Sequence, residues 1–391
     1  LKKRNGILVA IALVLSFIVG ILFNTLFPTL NPLNRGGLTS KQINLLNEAE
    51  KIINDTAING SDSDHTVDYA LKGMAASLDD DYAYYYTAEE MAQYENSTNG
   101  IVEGGIGITV YNDNGAATVT EVYKGLSADE AGLKKGDIIT EVDDILMDES
   151  TYSDISSLIK GEVGTQVMLT VLRNGQTLKF NVMRTSGQRQ MTEYRMLENG
   201  ILYIRILSFH GNAVDYFKKA IECGESNNYK SLIIDLRDNL GGDLTIFSEI
   251  ADILLPEGET FYALDKNSEK MNVCTSDEDC IDKPICVLQN GNTASASEAL
   301  SGAIKCMGDA TVIGTVSYGK GIMQTAYTLS NGGCFKLTVA RYYLPSGECI
   351  HKKGITPDIE VDLSDELKQK AWLLTDENDL QLKKAIEVLT N

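Results

Sequence analysis

Histidine is nearly missing from this chain: His65, His210 and His351 are the only three in 391 residues. None accompanies a G-x-S-x-G elbow, so a Ser-His-Asp hydrolase lacks its signature. The seven cysteines (Cys223, Cys274, Cys280, Cys286, Cys306, Cys334 and Cys349) fall in the second half and form no C-x-x-C pair. With so few histidines to complete a ligand set, no metal site is expected. An oxidising compartment would permit a disulfide such as Cys274 with Cys280; free buried thiols are the alternative. Positive charge is scarce too. Asp and Glu outnumber Lys and Arg by 55 to 34, a formal net charge of −21, which repels phosphate backbones and removes nucleic acid from the expected partners. No repeat or low-complexity segment appears, and 43% hydrophobic with 23% charged residues is ordinary for folded domains.

What is present begins with Leu1-Lys-Lys-Arg4 and an uncharged stretch to Asn34, densest in apolar residues from Ile7 to Phe27. That run is long enough to cross a bilayer core of roughly 30 Å as a helix. A cleaved signal peptide is the competing reading, but the run exceeds a usual signal core and no clear small-x-small site follows it. The basic flank puts the amino terminus in the cytosol. Residues 1–35 are therefore expected to hold a cytosolic stub, a signal-anchor transmembrane helix and a linker, with everything after them extracytoplasmic at the cell membrane.

Residues 36–98 read as helical, capped by Thr39 or Ser40, with apolar Ile43, Leu46, Ile53, Val67, Leu71 and Met74. The aromatic run Leu78–Tyr86 is read as packing under a helix junction. Between residues 99 and 185 the texture changes to short strands, Ile106–Tyr111, Ala117–Val122, Asp137–Val142, Gln166–Arg173 and Thr177–Val182, with one helix near Tyr152–Lys160. Residues 186–363 alternate strands (Ile201–Ile206, Ser231–Leu236, Ile285–Gln289) with helices (Asp215–Cys223, Leu244–Leu254, Ala296–Met307), the pattern of an α/β core. Residues 364–391 return to helical periodicity.

Three segments carry chemistry. Ser295-Ala-Ser-Glu298 follows a strand and opens a helix; taken alone it reads first as a capping box. Its functional reading is a nucleophile at a helix start, where free N–H groups favour negative charge developing at the reacting centre. Gly319-Lys320-Gly321 is either a glycine-bracketed turn with a solvated lysine or a close approach of backbone around a base. A base must be neutral, which demands a desolvated Lys320. If the segment is extended, Lys320, Ile322 and Gln324 share a face, and Gln324 could orient the amine. Leu232–Gly242 is a buried strand ending in a diglycine, either a plain strand-to-helix turn or, through Gly241 or Gly242 with the N–H of Ala296, an oxyanion hole.

Two resemblances draw these pieces together. Glu103-Gly-Gly105-Ile106-Gly107-Ile108 and Ala131-Gly-Leu-Lys-Lys-Gly-Asp-Ile-Ile139 resemble a PDZ domain, in which the glycine-rich loop (Gly105, Ile106, Gly107, Ile108) holds a peptide carboxylate and the peptide adds as an edge strand. The set Tyr203-Ile-Arg-Ile206 with Phe209, Asp235-Leu-Arg237 with Asn239 and Gly241-Gly242, Thr293–Glu298, Gly319-Lys-Gly321 with Gln324, Tyr343–Gly347 and Gly354–Val361 resembles the carboxyl-terminal processing (tail-specific) protease family. Leu240 stands where that family often has Pro, and Met323 where Val is common.

The resemblance implies a mixed α/β, ClpP/crotonase-like serine-peptidase core with an inserted PDZ domain. It also implies Ser295 as nucleophile, Lys320 as base, Gln324 as support and no cofactor. Polypeptides would enter by their carboxyl ends, with Arg173 a candidate gating relay and homo-oligomers formed through helical segments. The alternative from another class is a non-catalytic membrane scaffold that captures protein carboxyl termini through its PDZ domain. The Lys270–Lys283 stretch matches no motif.

Overall fold

Thr39 opens the first helix with a reciprocal cap: Gln42 N–H donates to its Oγ1 while the Gln42 side chain accepts from its N–H. The computed structural model describes residues 37–59, 62–308 and 310–391. The expected anchor, Ile7–Phe27, lies outside them; among the described residues no helix is long and apolar enough to cross a membrane. The chain divides into two units, residues 1–74 and 75–391. In the first, α1 (Ser40–Thr56) buries none of its residues and exposes Leu45, Leu46 and Ile52, and α2 (Ser63–Ala76) follows.

The second unit opens with a departure from the helical expectation. Tyr84–Tyr86 forms a strand (β1) that is followed by α3 (Ala88–Thr98). Then β2 (Ile101–Gly105) leads into a strand-rich module made of β3 (Ile108–Asp113), β4 (Ala116–Val122), α4 (Ser127–Ala131), β5 (Ile138–Val142), β6 (Ile145–Leu146), α5 (Ile155–Ile159), β7 (Gln166–Arg173) and β8 (Gln176–Met183). Its sheet runs β3-β4-β5-β7-β8, so β3 is an edge, and α4 and α5 cover a core of Ile106, Val119, Ile139, Leu169 and Val171. The strand β9 (Thr185–Gln188) returns antiparallel to β2, so the module enters and leaves through one two-stranded stalk.

The remaining elements are β10 (Thr192–Met196), β11 (Ile201–Ile206), α6 (Ala213–Ser226), β12 (Ser231–Asp235), α7 (Leu244–Leu254), β13 (Gly258–Asp265), β14 (Lys270–Ser276), β15 (Ile285–Gln289), α8 (Ala296–Met307), β16 (Ala310–Gly314), β17 (Ile322–Thr328), β18 (Cys334–Tyr343), β19 (Ile359–Glu360), α9 (Asp365–Gln369) and α10 (Leu380–Thr390). They build a six-stranded sheet, β10-β11-β12-β15-β16-β19, parallel apart from β10. Every residue of β12 and β15 is buried, as expected of parallel strands covered on both faces. One face packs on Phe217, Phe247 and Leu300 of α6, α7 and α8; the other meets Leu382 and Ala385 of α10. Each large side chain buried there contributes about 1.5–3 kcal/mol. The second sheet joins β1, β18, β13 and β14, with β17 on β18. The unassigned Lys270–Lys283 stretch thus supplies its strand β14. The cysteines are all free, Cys274 and Cys280 included.

Candidate active site

Parallel strands end together, and the loops after β12, β15 and β16 meet at that end. After β12, Asn239 is fully buried: its Nδ2 donates to the Ile206 carbonyl (2.7 Å), its Oδ1 accepts from the Gly241 N–H (2.9 Å) and its carbonyl accepts from the Ala294 N–H (3.0 Å). This fixes the diglycine against the segment that carries Ser295. A Cβ on Gly241 would lie 2.7 Å from Ser295 Cβ, and its φ of +97° favours glycine independently. Below the loop, burial pushes the Asp235 carboxyl up, but the Arg237 guanidinium, 2.6 Å away, with Arg205 and then Tyr203, holds it below its ordinary value. Arg237 also pairs with Asp379 at the start of α10.

Ser295 sits at φ 59°, ψ −122°, a backbone state that costs a non-glycine residue about 1–3 kcal/mol. Two contacts hold it there: its N–H donates to Glu298 Oε2 (3.0 Å), and its carbonyl accepts from the Tyr342 hydroxyl (2.9 Å). Burial keeps Tyr342 well above its ordinary pKa and so a donor. Glu298 is fully buried, and it also accepts from Ser317 Oγ (2.5 Å), the Gly319 N–H (2.6 Å) and the Lys320 N–H (2.8 Å). One carboxylate therefore ties the serine loop to the lysine loop. Alone in the sequence, it read as half of a helix cap.

Lys320 is half-buried, and burial lowers its pKa, helped by Lys336 and opposed by Glu298 and Asp80. The flanking glycines let its loop lie against residues 351–354: a Cβ on Gly321 would meet the His351 N at 2.5 Å. Among the described residues no hydrogen bond joins Lys320 to Ser295. Its Nζ stands 4.6 Å from the centre of the Tyr82 ring instead. Tyr82 is pushed up to about 12, first by its hydrogen bond with Tyr318, and so offers a neutral ring face. The aromatic run read as helix-junction packing therefore reaches the site.

Among the described residues no hydrogen bond joins Gln324 to Lys320. Strand β17 begins only at Ile322, a bulge between Met323 and Gln324 breaks the alternation, and the Gln324 amide donates to Thr338 Oγ1 (3.1 Å). The oxyanion-hole candidates separate in the same way. Gly241 has spent its N–H on Asn239, whereas no hydrogen bond among the described residues engages the N–H of Gly242 or Ala296.

His210 was not a sequence candidate, yet it flanks the diglycine: a Cβ on Gly242 would lie 2.7 Å from its Nδ1, which shares a 2.8 Å hydrogen bond with Ser208 Oγ. Burial lowers its pKa, against Asp243. Its place next to Phe209, a family-motif position, is the signal that could have found it.

In the strand-rich module, Gly105 and Ile106 are buried, and the Ile106 carbonyl accepts from the Ala128 N–H (2.9 Å). Gly107 (φ +82°) packs on Leu126, and Ile108 opens the edge strand β3. The N–H groups of Ile106 and Gly107 bond to nothing among the described residues. Arg173 grips the buried Asp137 (2.6 Å) and the Gly132 carbonyl (2.9 Å); these partners belong to the same module.

The Peptidase family S41 pattern matches residues 200–361 and the PDZ domain pattern matches residues 104–183. The "Carboxy-terminal processing protease CtpA" of Bacillus subtilis (strain 168) is 32% identical over 325 residues, 83% of this chain and 70% of that protein. A "Probable CtpA-like serine protease" of Staphylococcus epidermidis is 31% identical over 334 residues, 84% of this chain and 67% of that protein. Among solved structures, the photosystem II D1 C-terminal processing protease aligns with TM-score 0.51 and 25% identity, covering 83% of this chain and 94% of that one. A putative S41 protease from Bacteroides fragilis shares the fold, with TM-score 0.61 at 17% identity over 86% of this chain and 92% of that one. With a strained serine and a half-buried lysine hung from one carboxylate, and a PDZ module on a stalk, this chain belongs to peptidase family S41, among the carboxy-terminal processing proteases.

Proposed function

We propose that this chain is a serine endopeptidase in which Ser295 attacks the scissile carbonyl, Lys320 takes and returns the proton, and water hydrolyses the acyl-enzyme. The observation that carries this reading is the Glu298 clamp, which brings both loops to one point. The N–H groups of Gly242 and Ala296 are the proposed oxyanion donors. The core is proposed to be of the ClpP/crotonase kind, and no cofactor is required. With its amine over Tyr82, Lys320 is in a resting position; swinging off that ring would complete the dyad, with Gln324 recruited to orient it.

Substrates are proposed to be polypeptides captured by their carboxyl ends at the Gly105–Ile108 loop and the β3 edge. The PDZ domain gates the site, Arg173 acting through Asp137 and Gly132; full activity both in Arg173→Ala and without residues 99–185 would remove that step. The chain is anchored through Ile7–Phe27 with its catalytic part extracytoplasmic, and oligomers form through its helical segments. The deciding experiment incubates the protein with an unstructured polypeptide. Cleavage should fall by at least about 10³-fold in Ser295→Ala and in Lys320→Ala. Unchanged turnover in either would end the dyad reading, and no cleavage by the unaltered chain would favour a PDZ scaffold.

A further inference from the structure

Away from Ser295, a cavity of about 970 Å³ opens between the outer face of the β3–β4 hairpin, strands β10 and β11, and the segment after α9. Three arginines line it and two are spoken for. Arg195 makes a two-bond pair with Asp376 (2.6 Å each), and Arg237 pairs with Asp235 and Asp379. Arg205 is different. Its guanidinium makes no hydrogen bond or ion pair among the described residues, although Asp235 and Glu193 lie near enough to act on it through space. Those carboxylates stabilise its charge through space but leave its N–H groups without an acceptor, so a guanidinium lining a cavity marks a place for a ligand that can accept from it.

The walls say which ligand. A planar guanidinium matches a carboxylate with two parallel hydrogen bonds, and the carboxylates of the lining, Asp235 and Glu193 among them, oppose a dianion more than a monoanion. In the same lining, the Tyr111 and Trp372 rings, tilted at 44° with centroids 5.4 Å apart, give an apolar surface. We infer that this cavity binds a monocarboxylate with an apolar or aromatic body, its carboxylate on Arg205 and its body against Tyr111 and Trp372.

Trp372 is the only tryptophan of the chain, so its fluorescence reports the site directly. The full chain is titrated with N-acetyl-phenylalanine, its amide, inorganic phosphate, and an acetylated twelve-residue peptide ending in phenylalanine. A saturable response to the acid, with a midpoint at least about tenfold lower than for the amide or phosphate, is expected. Arg205→Gln should abolish it and Arg205→Lys weaken it by about tenfold. Equal responses to acid and amide on the unaltered chain would overturn the assignment without any variant, as would an unchanged midpoint in folded Arg205→Gln. A response to acid and peptide alike assigns a polypeptide end as the source; a response to the acid alone assigns a small molecule.

Discussion

Ser295 and Lys320 hang from the same carboxylate, yet they are held in opposite ways. The serine is fixed to its backbone: Glu298, Tyr342 and the facing Gly241 leave it one conformation. The lysine's backbone is tied through its N–H, while its four-carbon stem carries the amine to an aromatic face. In the proposed dyad, a serine held through its backbone and an amine carried on a flexible stem would let activity be set by one rotamer change rather than by rebuilding the site.

Four substitutions press on that contrast. The largest effect is expected from Glu298→Ala, which orphans four donors at once, two of them buried: cleavage should drop by about 10²–10³-fold and stability by several kcal/mol, read by peptide turnover and denaturant melting. Activity near the unaltered level would mean that the loops do not need a common anchor. Tyr342→Phe removes a single bond to the Ser295 carbonyl and should cost about tenfold in kcat with KM little changed. A change confined to KM would point to substrate contact instead.

Tyr82→Leu acts on the other partner. Losing a cation–π contact of about 0.5–2 kcal/mol should free the amine and raise turnover severalfold; a fall would show that Tyr82 guides the lysine rather than parks it. The smallest effect belongs to Lys336→Gln. Lys336 is the second cause, after burial, of the lowered Lys320 pKa. A Lys320 acting as the proposed base works deprotonated, so removing this positive charge should raise that pKa and move the rising limb of the pH–rate profile to higher pH. A limb that stays put would place Lys336 outside the field of the base.

The same contrast separates what the sequence disclosed from what it hid. Strands Ile201–Ile206 and Ile285–Gln289 and helices Leu244–Leu254 and Ala296–Met307 were legible because each is a continuous apolar or helical-period run bounded by turns. Strand β14 was not: Lys270, Asn272 and Thr275 face solvent at a sheet edge. Tyr84–Tyr86 pairs with residues 334–336, and no local pattern encodes so distant a partner. At the site, residue types were readable and their partners were not. Glu298 sits at cap spacing, but its donors Ser317 and Gly319 come from another loop. Gln324 shared a face with Lys320 only on the assumption of unbroken alternation, which the bulge at Met323/Gln324 removes.

Glu298 has one more consequence, a matter of valence. A carboxylate offers about four lone-pair directions, and Ser295, Ser317, Gly319 and Lys320 each supply a donor to it. With its acceptor sites filled, the Glu298 carboxylate has no lone pair left for the Ser295 hydroxyl. The Ser295 hydroxyl must find its acceptor elsewhere, and in the proposed dyad that acceptor is the Lys320 amine once it leaves the Tyr82 ring.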